Sequence, residues 1–407
     1  MILGAGFAGI GAMKELTRQS VNVTLLDRHD YQTFQPLLYQ LATDELSQAE
    51  VGFPVREMLH DRDDWVFHQA AVQNVDLERH EIETDNAGSM PYDYLVISTG
   101  ANVNFFGTKG AAENAFPMYT MHDALRLRTH ILEQFEKVDR DPSLIDDGAL
   151  CFCVVGGGAT GVETAGALAE LISAELKKDY PNLPIDRAEV HLYEMGPTLL
   201  APFEPKLQKY AKDQLEARGV QVHLEEGVAE VEPTRVHLRS NEVVKAHTLV
   251  WAAGLSASPI AQLMGIDLVK GRVPVNHDLS LEGHPEVFVV GDIAAITDTE
   301  TGDHLPQLGS VALQSGHHAG QNISRLVRDQ QTQSFKYTDK GTMATIGRGA
   351  AIVQLPRGKT LTGHSAWLAW LGVHLMLLSD GNQKSLTFVD WGWTVLSHNR
   401  GKRIEVE

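Results

Sequence analysis

Two glycine-rich turns in separate parts of this 407-residue chain constrain its fold most strongly. Each follows an apolar run and precedes a helix-forming stretch: GAGFAG near the start of the chain, and GGGATG after the run CFCVV. This order is typical of a strand–turn–helix unit that receives the pyrophosphate of a dinucleotide. The alternative is a glycine-rich turn that binds no ligand. We predict an α/β fold with two Rossmann-like dinucleotide-binding domains.

The first turn carries the three glycines of a G-x-G-x-x-G pattern. Gly4 permits a tight turn, Gly6 permits close approach of a pyrophosphate, and Gly9 permits close packing of helix on strand. The strand VNVTLLD then ends at Asp27, 21 residues after Gly6, and a carboxylate at this distance suits ribose hydroxyls. Only residues 1–3 precede Gly4, whereas a strand usually has about five residues. We therefore expect the natural chain to begin slightly earlier.

The second turn repeats the spacing with Gly156, Gly158 and Gly161. A long helix and a loop are predicted before the strand EVHLYE, which ends at Glu194. Met195 follows, and no adjacent arginine could receive a 2′-phosphate, so the pattern favours NADH over NADPH. Two such turns imply two dinucleotides, and a diffusing hydride carrier with a resident flavin is a chemically sensible pair.

Two further strand ends are candidates for ligand contacts. YDYLVISTGA is predicted to be a strand that runs into the turn Thr99-Gly100, and EVFVVGDIAA ends at Gly291-Asp292. Asp292 is placed to receive a polyol hydroxyl, with the following helix facing a pyrophosphate. Its alternative role is a helix N-cap.

Charge and cysteine content exclude some classes of function. A net charge of −19 argues against a nucleic-acid partner, because binding phosphates needs a basic surface. The only cysteines, Cys151 and Cys153, are two residues apart on a predicted strand, which disfavours a disulfide. We interpret them as small apolar residues in a reducing compartment. The pair His317-His318 lacks ligand spacing, so we expect no metal site.

The C-terminal region differs from the rest of the chain. From residue 345 onward seven Lys/Arg and four Asp/Glu give a net charge of +3. The run AWLAWLGVHLMLL, residues 366–378, has the length of a short helix and is too short to span a membrane. A helix lying in the membrane interface is one interpretation, and a core helix or a dimer interface is the other. The interfacial interpretation is favoured by tryptophans and following basic residues: Trp367, Trp370, Trp391, Trp393, Arg400, Lys402 and Arg403.

Taken in order, GAGFAG with Asp27, STGA, GGGATGVE with Glu194 and VFVVGDIAA resemble the two-dinucleotide-domain flavoprotein reductases. Within this group, FQPLLYQLAT, KGTMATIGR and the tryptophan-rich tail are similar to the type II NADH dehydrogenases. The resemblance covers essentially the whole chain. It implies a single-subunit NADH:quinone oxidoreductase that holds FAD non-covalently and pumps no protons.

The resemblance also implies an arrangement of domains. Residues 1–115 and 275–335 would form the FAD-binding domain, residues 116–274 the NADH-binding domain, and residues 336–407 a small C-terminal membrane-docking α/β segment. The protein would attach peripherally to the cytoplasmic face of the plasma or inner membrane through its C-terminal helices. The resemblance also suggests a homodimer.

Roles for individual residues follow from the resemblance. Glu163 corresponds to a glutamate near the flavin that is implicated in nicotinamide or quinone coupling, and its alternative role is a first-turn acid that complements the helix dipole. Quinone would enter past Gln40 and Gln314. The residues expected to contact FAD are Gly4, Gly6, Gly9, Asp27, Thr99, Gly100 and Asp292, and those expected to contact NADH are Gly156, Gly158, Gly161 and Glu194.

The chain departs from the family pattern at one place. Where the family usually has P-x-x-A-Q-x-A, Gly309 and Ser310 replace the Ala-Gln pair, although Gln314 remains. The acceptor therefore stays open between a quinone, a different lipid-soluble or soluble acceptor, and a low-turnover role in sensing NADH. A disulfide reductase or sulfide:quinone reductase would need cysteines near the flavin, and Cys151 and Cys153 are not placed there.

Overall fold

The computed structural model describes residues 1–17, 19–60 and 63–397, which form two compact units. The first unit contains residues 1–32, 54–102 and 255–339. The second contains residues 33–53, 103–254 and the described chain from 340 onward. Short strands lie where the chain passes from one unit to the other: Tyr31–Thr33, Gly52–Pro54, Ala101–Val103 and Leu255–Ala257.

A six-stranded sheet forms the centre of the first unit. Its central strands are buried along their whole length, as expected for apolar runs in a parallel sheet covered on both faces. Only the edge strand Ser280–Leu281 pairs antiparallel within this sheet. In spatial order the strands are Ser280–Leu281, His284–Val289, Leu95–Ile97, Ile2–Leu3, Val23–Asp27 and Trp65–Gln69.

Two helices of the first unit, Phe7–Leu16 and Gly309–Leu326, pack closely on each other. A Cβ atom added at Gly316 would lie 1.9 Å from the carbonyl oxygen of Ala8, so this crossing requires glycine. The other elements of the unit are the helical segments Val55–Leu59, Ile260–Leu263 and Gly291–Ile293, and the strands Val72–Asp76, Glu81–Thr84, Ser89–Pro91, Val273–Pro274 and Ala294–Ala295.

A five-stranded, fully parallel sheet forms the centre of the second unit. In spatial order its strands are Phe116–Pro117, Thr248–Trp251, Cys151–Val155, Glu189–Glu194 and Val220–Leu224. The helix Ala159–Glu170 follows the second glycine-rich turn and continues through Leu171–Leu176 to Lys177–Asp179. The long helix predicted before Glu194 is therefore present.

Two small antiparallel sheets and further helices complete the second unit. The sheets contain Val228–Glu232, Arg235–Leu238 and Val243–Lys245, and Thr342–Gly347, Ala350–Gln354 and Thr360–Thr362. The α-helices are Leu38–Ala42, Gln48–Val51, Ala111–Asn114, Met121–Arg140, Pro205–Glu216, Gly363–Leu377 and Gly381–Ser397, with shorter turns at Gln35–Leu37, Pro142–Asp147, Ile185–Arg187 and Pro356–Gly358. The predicted α/β class, with two dinucleotide-binding folds and a small C-terminal α/β segment, is confirmed.

The tryptophan-rich run lies in the helix Gly363–Leu377, which is neither wholly buried nor wholly exposed. Ala366, Trp370 and His374 are buried, whereas Leu368 and Met376 point outward on the other side of the helix. Within the described residues, no helix combines the length and the hydropathy needed to cross a membrane. The basic residues Arg400, Lys402 and Arg403 lie outside the described residues.

Candidate functional site

The first glycine-rich turn has the geometry of a phosphate cradle. Gly4 has φ +98°, a conformation that L side chains rarely adopt. A Cβ at Gly9 would lie 1.9 Å from the carbonyl oxygen of Gly4, so helix and turn are in direct backbone contact there. A Cβ at Gly6, by contrast, would meet no described protein atom within 4 Å. This space lies at the N-terminus of the helix Phe7–Leu16, where backbone N–H groups favour an anion.

Asp27 is held against this turn by two backbone groups. The N–H of Ala5 donates to Asp27 Oδ2 at 2.7 Å, and the N–H of His29 donates to Oδ1 at 2.8 Å. These contacts orient the carboxylate beside the cradle. Each oxygen keeps a second lone pair that suits a ribose hydroxyl.

The Ser98-Thr99-Gly100 turn closes on the same cradle. Ser98 Oγ donates to the carbonyl oxygens of Leu3 and Gly4, at 2.7 and 3.0 Å, and so fixes the first strand to its neighbour. Thr99 Oγ1 is buried and has no hydrogen-bond partner among the described residues. Such a hydroxyl costs about 1–3 kcal/mol unless a ligand satisfies it. The orphaned hydroxyl and the open space at Gly6 both fit a bound dinucleotide.

Asp292 lies in a short helical turn, Gly291–Ile293, at the end of a central strand of the first unit. The N-cap of this turn is Val290, so the N-cap alternative for Asp292 is wrong. Burial raises the pKa of the Asp292 carboxyl to about 6, and the nearby positive charge of Arg272 opposes this shift. Gln307 Nε2 donates to the carbonyl oxygen of Asp292 at 2.9 Å. Arg272 and Gln307 had no recognisable signal in the sequence, because they come from separate loops.

The second glycine-rich turn repeats the first cradle. Gly156 has φ +109°, a Cβ at Gly161 would lie 1.8 Å from the carbonyl oxygen of Gly156, and a Cβ at Gly158 would meet no described atom within 4 Å. Glu194 Oε2 accepts the N–H of Gly157 at 2.5 Å, and Oε1 accepts the N–H of Gly196 at 2.6 Å. The carboxylate thus occupies the place that Asp27 has in the first unit. This second cradle also fits a dinucleotide.

Glu163 is buried in the second unit on the helix Ala159–Glu170. Its Oε1 accepts the backbone N–H of Thr345 at 3.1 Å, and the side chain of Trp370 also donates to the carboxyl. Burial nevertheless raises the pKa of Glu163 to about 8. The carboxyl is therefore mainly protonated at neutral pH, and it is not in the first helical turn. The alternative role as a first-turn acid that complements the helix dipole is wrong, because Glu163 lies beyond the first turn of this helix.

Gln40 belongs to the same hydrogen-bonded network. Tyr39 OH and Thr345 Oγ1 are 3.1 Å apart, and Gln40 Nε2 donates to Tyr39 OH, also at 3.1 Å. Gln40 Oε1 in turn accepts the indole N–H of Trp391 at 3.0 Å. Burial raises the pKa of Tyr39 well above its usual range, with the Glu163 charge adding to the shift. Sequence reasoning missed Tyr39, Thr345 and Trp391 in this role, although each lies in a segment that carried the family resemblance.

Gln314 belongs to the other compact unit and has a different environment. Its Nε2 donates to the carbonyl oxygen of Thr338 and its Oε1 accepts the N–H of Thr338, both at 3.0 Å. Ser310 Oγ and Tyr337 OH are 2.9 Å apart. Gln314 and Ser310, on the helix Gly309–Leu326, therefore both hold the segment around residue 338. Gln314 thus fixes the backbone at Thr338, whereas the Ser310 hydroxyl contacts the Tyr337 side chain.

Comparisons with known proteins agree with this geometry. The pattern of the pyridine nucleotide-disulphide oxidoreductase family matches residues 1–316. The chain is 34% identical to the type II NADH:quinone oxidoreductase Ndh of Mycobacterium tuberculosis, over 99% of this chain and 89% of that protein. It is 29% identical to the type II NADH:quinone oxidoreductase of Staphylococcus saprophyticus, over 90% of this chain and 91% of that protein.

A solved structure shows the same fold over the full length. NDH2 from Plasmodium falciparum in complex with NADH superposes with a TM-score of 0.91 at 21% identity, covering 100% of this chain and 99% of that chain. Together with the sequence matches, this covers both cradles and the C-terminal segment. The chain therefore belongs to the pyridine nucleotide-disulphide oxidoreductase family and, within it, to the type II NADH:quinone oxidoreductases.

Proposed function

We infer that the protein oxidises NADH and reduces a quinone, with bound FAD as its cofactor and without pumping protons. The observation that carries this inference is the pair of equivalent cradles, each closed by a carboxylate at the same place. One chain with two such cradles is built for two dinucleotides. The full-length relatives, which are named type II NADH:quinone oxidoreductases, supply the acceptor class.

The residues of the first unit would hold FAD. The backbone around Gly6 would face the pyrophosphate, Asp27 would accept ribose hydroxyls, and Thr99 Oγ1 would gain the partner that it lacks. Asp292 would meet the polyol chain. When bound, FAD would supply the two-electron redox chemistry between NADH and a quinone.

The second unit would bind NADH in the same manner. Gly158 leaves space for the pyrophosphate, and Glu194 would accept the ribose hydroxyls. A carboxylate at that position repels a 2′-phosphate, which supports NADH rather than NADPH as the substrate. Gly157 serves this arrangement because a Cβ there would lie 2.8 Å from the Glu194 carboxylate.

Glu163 is proposed to supply a proton for the reaction. Transfer of two electrons and two protons from NADH and solvent to a quinone consumes one proton from the surroundings. A carboxyl with a pKa of about 8 carries a proton at neutral pH and can release it. Thr345, Tyr39 and Gln40 position that carboxyl by their shared network, and Gln40 stays our candidate for a residue on the quinone path in this unit.

We also propose that the C-terminal helices dock on a membrane. The helix Gly381–Ser397 places polar groups toward the protein, where Gln383 Nε2 donates to the Glu50 carbonyl oxygen at 2.8 Å and Thr387 is fully buried. Trp391 is also buried, whereas four apolar side chains of the same helix are exposed: Leu386, Phe388, Val389 and Trp393. A helix that faces water exposes its polar side chains. The exposed apolar side chains of this helix instead suit contact with lipid. Attachment to the cytoplasmic face and homodimerisation remain predictions.

Turnover by the purified yellow protein tests the function. We expect NADH to bleach the flavin and a short-chain quinone to restore it through many cycles, with a much lower rate for NADPH. Bleaching without quinone-dependent turnover would reject the quinone as the acceptor. A panel of soluble acceptors would then distinguish another acceptor, which restores turnover, from a sensing role, in which no acceptor does. Failure of NADH to bleach the flavin would reject the electron donor as well.

A further inference from the structure

A cluster of thiol, imidazole and carboxylate groups lies on one face of the parallel sheet of the second unit. Cys151 pairs in register with Glu189, and Cys153 pairs with His191, on the neighbouring strands Cys151–Val155 and Glu189–Glu194. Side chains two residues apart on a strand point to the same face. Cys151 Sγ, a carboxylate oxygen of Glu189 and a ring nitrogen of His191 therefore converge, all within 4.8 Å of one another.

One spacing within the cluster, between imidazole and carboxylate, matches that of two ligands on a tetrahedral metal ion. Zinc holds imidazole nitrogen and carboxylate oxygen at about 2.0–2.2 Å, so two such ligands on a tetrahedron lie about 3.4 Å apart. His191 Nε2 and Glu189 Oε2 are 3.3 Å apart. These two donors need almost no rearrangement to share one ion.

The second nitrogen of the His191 ring is also fixed. His191 Nδ1 lies 3.0 Å from Nε2 of His223, which is on the next strand, Val220–Leu224. Tyr193 stacks on the His223 ring with 4.6 Å between ring centroids. A metal-bound imidazole usually has its other nitrogen held by a hydrogen bond, because this fixes the tautomer and the ring orientation. His223 provides that partner.

The cluster has both a sheltered side and an open side. Cys151 and His191 are buried, whereas Glu189 is exposed. Neither cysteine is in a disulfide, so the Cys151 thiol is available as a ligand. An ion can reach the site from the Glu189 side, and solvent can fill the fourth position there.

We propose that Cys151, Glu189 and His191 bind a divalent ion of the zinc class, with His223 orienting His191. A thiolate, an imidazole and a carboxylate suit zinc or cobalt, whereas magnesium and calcium prefer oxygen ligands alone. The bound ion joins two adjacent strands near their beginnings. The opposite ends of the same strands lead to Gly156 and Glu194, so the ion stabilises the scaffold of the second cradle.

Metal titration of the full-length, flavin-loaded protein tests this site after treatment with a chelator. We expect one equivalent of Zn²⁺ per chain, in competition with a chromophoric chelator. Co²⁺ should give the intense long-wavelength bands of a tetrahedral thiolate site, which lie beyond the absorption of the flavin. Absence of these bands, or of a stoichiometric site, would overturn the proposal.

Substitutions locate the ion. Cys151→Ser should abolish the intense cobalt bands, and Glu189→Gln, at an exposed position, should weaken Zn²⁺ binding. His223→Gln should weaken binding by about 10–100-fold, the usual effect of losing a partner of a metal-bound histidine. His237→Gln is the matched control, since His237 Nε2 also lies 3.3 Å from a glutamate oxygen, that of Glu232, without a thiol. Binding that survives both Cys151→Ser and Glu189→Gln would place the ion elsewhere and reject the site.

Discussion

Glu194 accepts the backbone N–H of Gly157 at 2.5 Å, which ties the end of one strand to the glycine-rich turn after its neighbour. Asp27 and Ala5 make the same contact at 2.7 Å in the first unit. Each contact uses one lone pair of a carboxylate oxygen, so other lone pairs of the carboxylate are left for ribose hydroxyls. Each carboxylate therefore serves both the turn and the proposed ligand.

Glu194→Gln should weaken NADH selectivity. The amide removes the negative charge that repels a 2′-phosphate. It also replaces one of the two carboxylate oxygens that accept backbone N–H groups. We expect the KM for NADH to rise by about tenfold, equivalent to about 1.4 kcal/mol, and the ratio of NADPH to NADH turnover to increase. Steady-state kinetics with both nucleotides measure this. Glu216→Gln, on an exposed helix of the same unit, is the control, and an unchanged ratio in Glu194→Gln would contradict the assignment.

Gly158→Ala and Gly161→Ala should have opposite consequences. A Cβ at Gly158 meets no described protein atom within 4 Å, so the fold should be unaffected, but the methyl group would intrude on the proposed pyrophosphate site. We expect an increased KM for NADH at an unchanged Tm. A Cβ at Gly161 would lie 1.8 Å from the carbonyl oxygen of Gly156, so this variant should lose about 1–3 kcal/mol of stability or more. Equal Tm values for the two variants would contradict the close backbone contact.

Glu163→Gln should change how stability depends on pH. The pKa of Glu163 is raised from 4.5 to about 8, so between these values the folded protein keeps a proton that the unfolded chain releases. The free energy of unfolding therefore falls as pH rises through this window. The variant lacks this titration. The Tm of the variant minus the Tm of the parent should therefore be larger at pH about 9 than at pH about 5. A difference in Tm that is constant across pH would show that the carboxyl is not held protonated.

The same substitution tests proton supply. If Glu163 donates a proton, the kcat of quinone reduction in the parent should fall as pH rises through about 8. In Glu163→Gln, the kcat should be about 100-fold lower and should no longer fall as pH rises through about 8. Electron transfer from NADH to ferricyanide, which takes up no proton, is the internal control. A variant that keeps the parental pH profile with quinone would reject the role of Glu163.

Phe388→Ser combined with Trp393→Ser should reduce membrane binding. Both side chains are more than half exposed, at 64% and 61%, and neither belongs to the buried core. Co-sedimentation with anionic lipid vesicles should decrease, while turnover with a short-chain, water-soluble quinone should persist. Val243→Ser, at another exposed apolar position of the second unit, is the control. Vesicle binding equal to that of the parent would show that these side chains are not part of the docking surface.

The two cradles were accessible from the sequence because their information is local. The spacing of Gly4, Gly6 and Gly9 indicates where the backbone approaches a pyrophosphate or a neighbouring element closely. An acid at the end of the next strand completes the pattern. Cys151 and Cys153, which we interpreted as small apolar residues outside a disulfide, are free and buried. The convergence of Cys151 with Glu189 and His191 was not accessible, because it depends on the register between two strands.

By itself, the sequence determined the fold class, the two dinucleotide cradles and the family, since each of these follows from patterns within short segments. Only the tertiary structure decided the pKa values and contacts of side chains outside these short patterns. The pKa of Glu163 is raised because a strand and a helix from the distant C-terminal region bury its carboxyl beside Thr345 and Trp370. A pKa depends on burial and on neighbouring charges, and both are set only when segments far apart in the chain pack together.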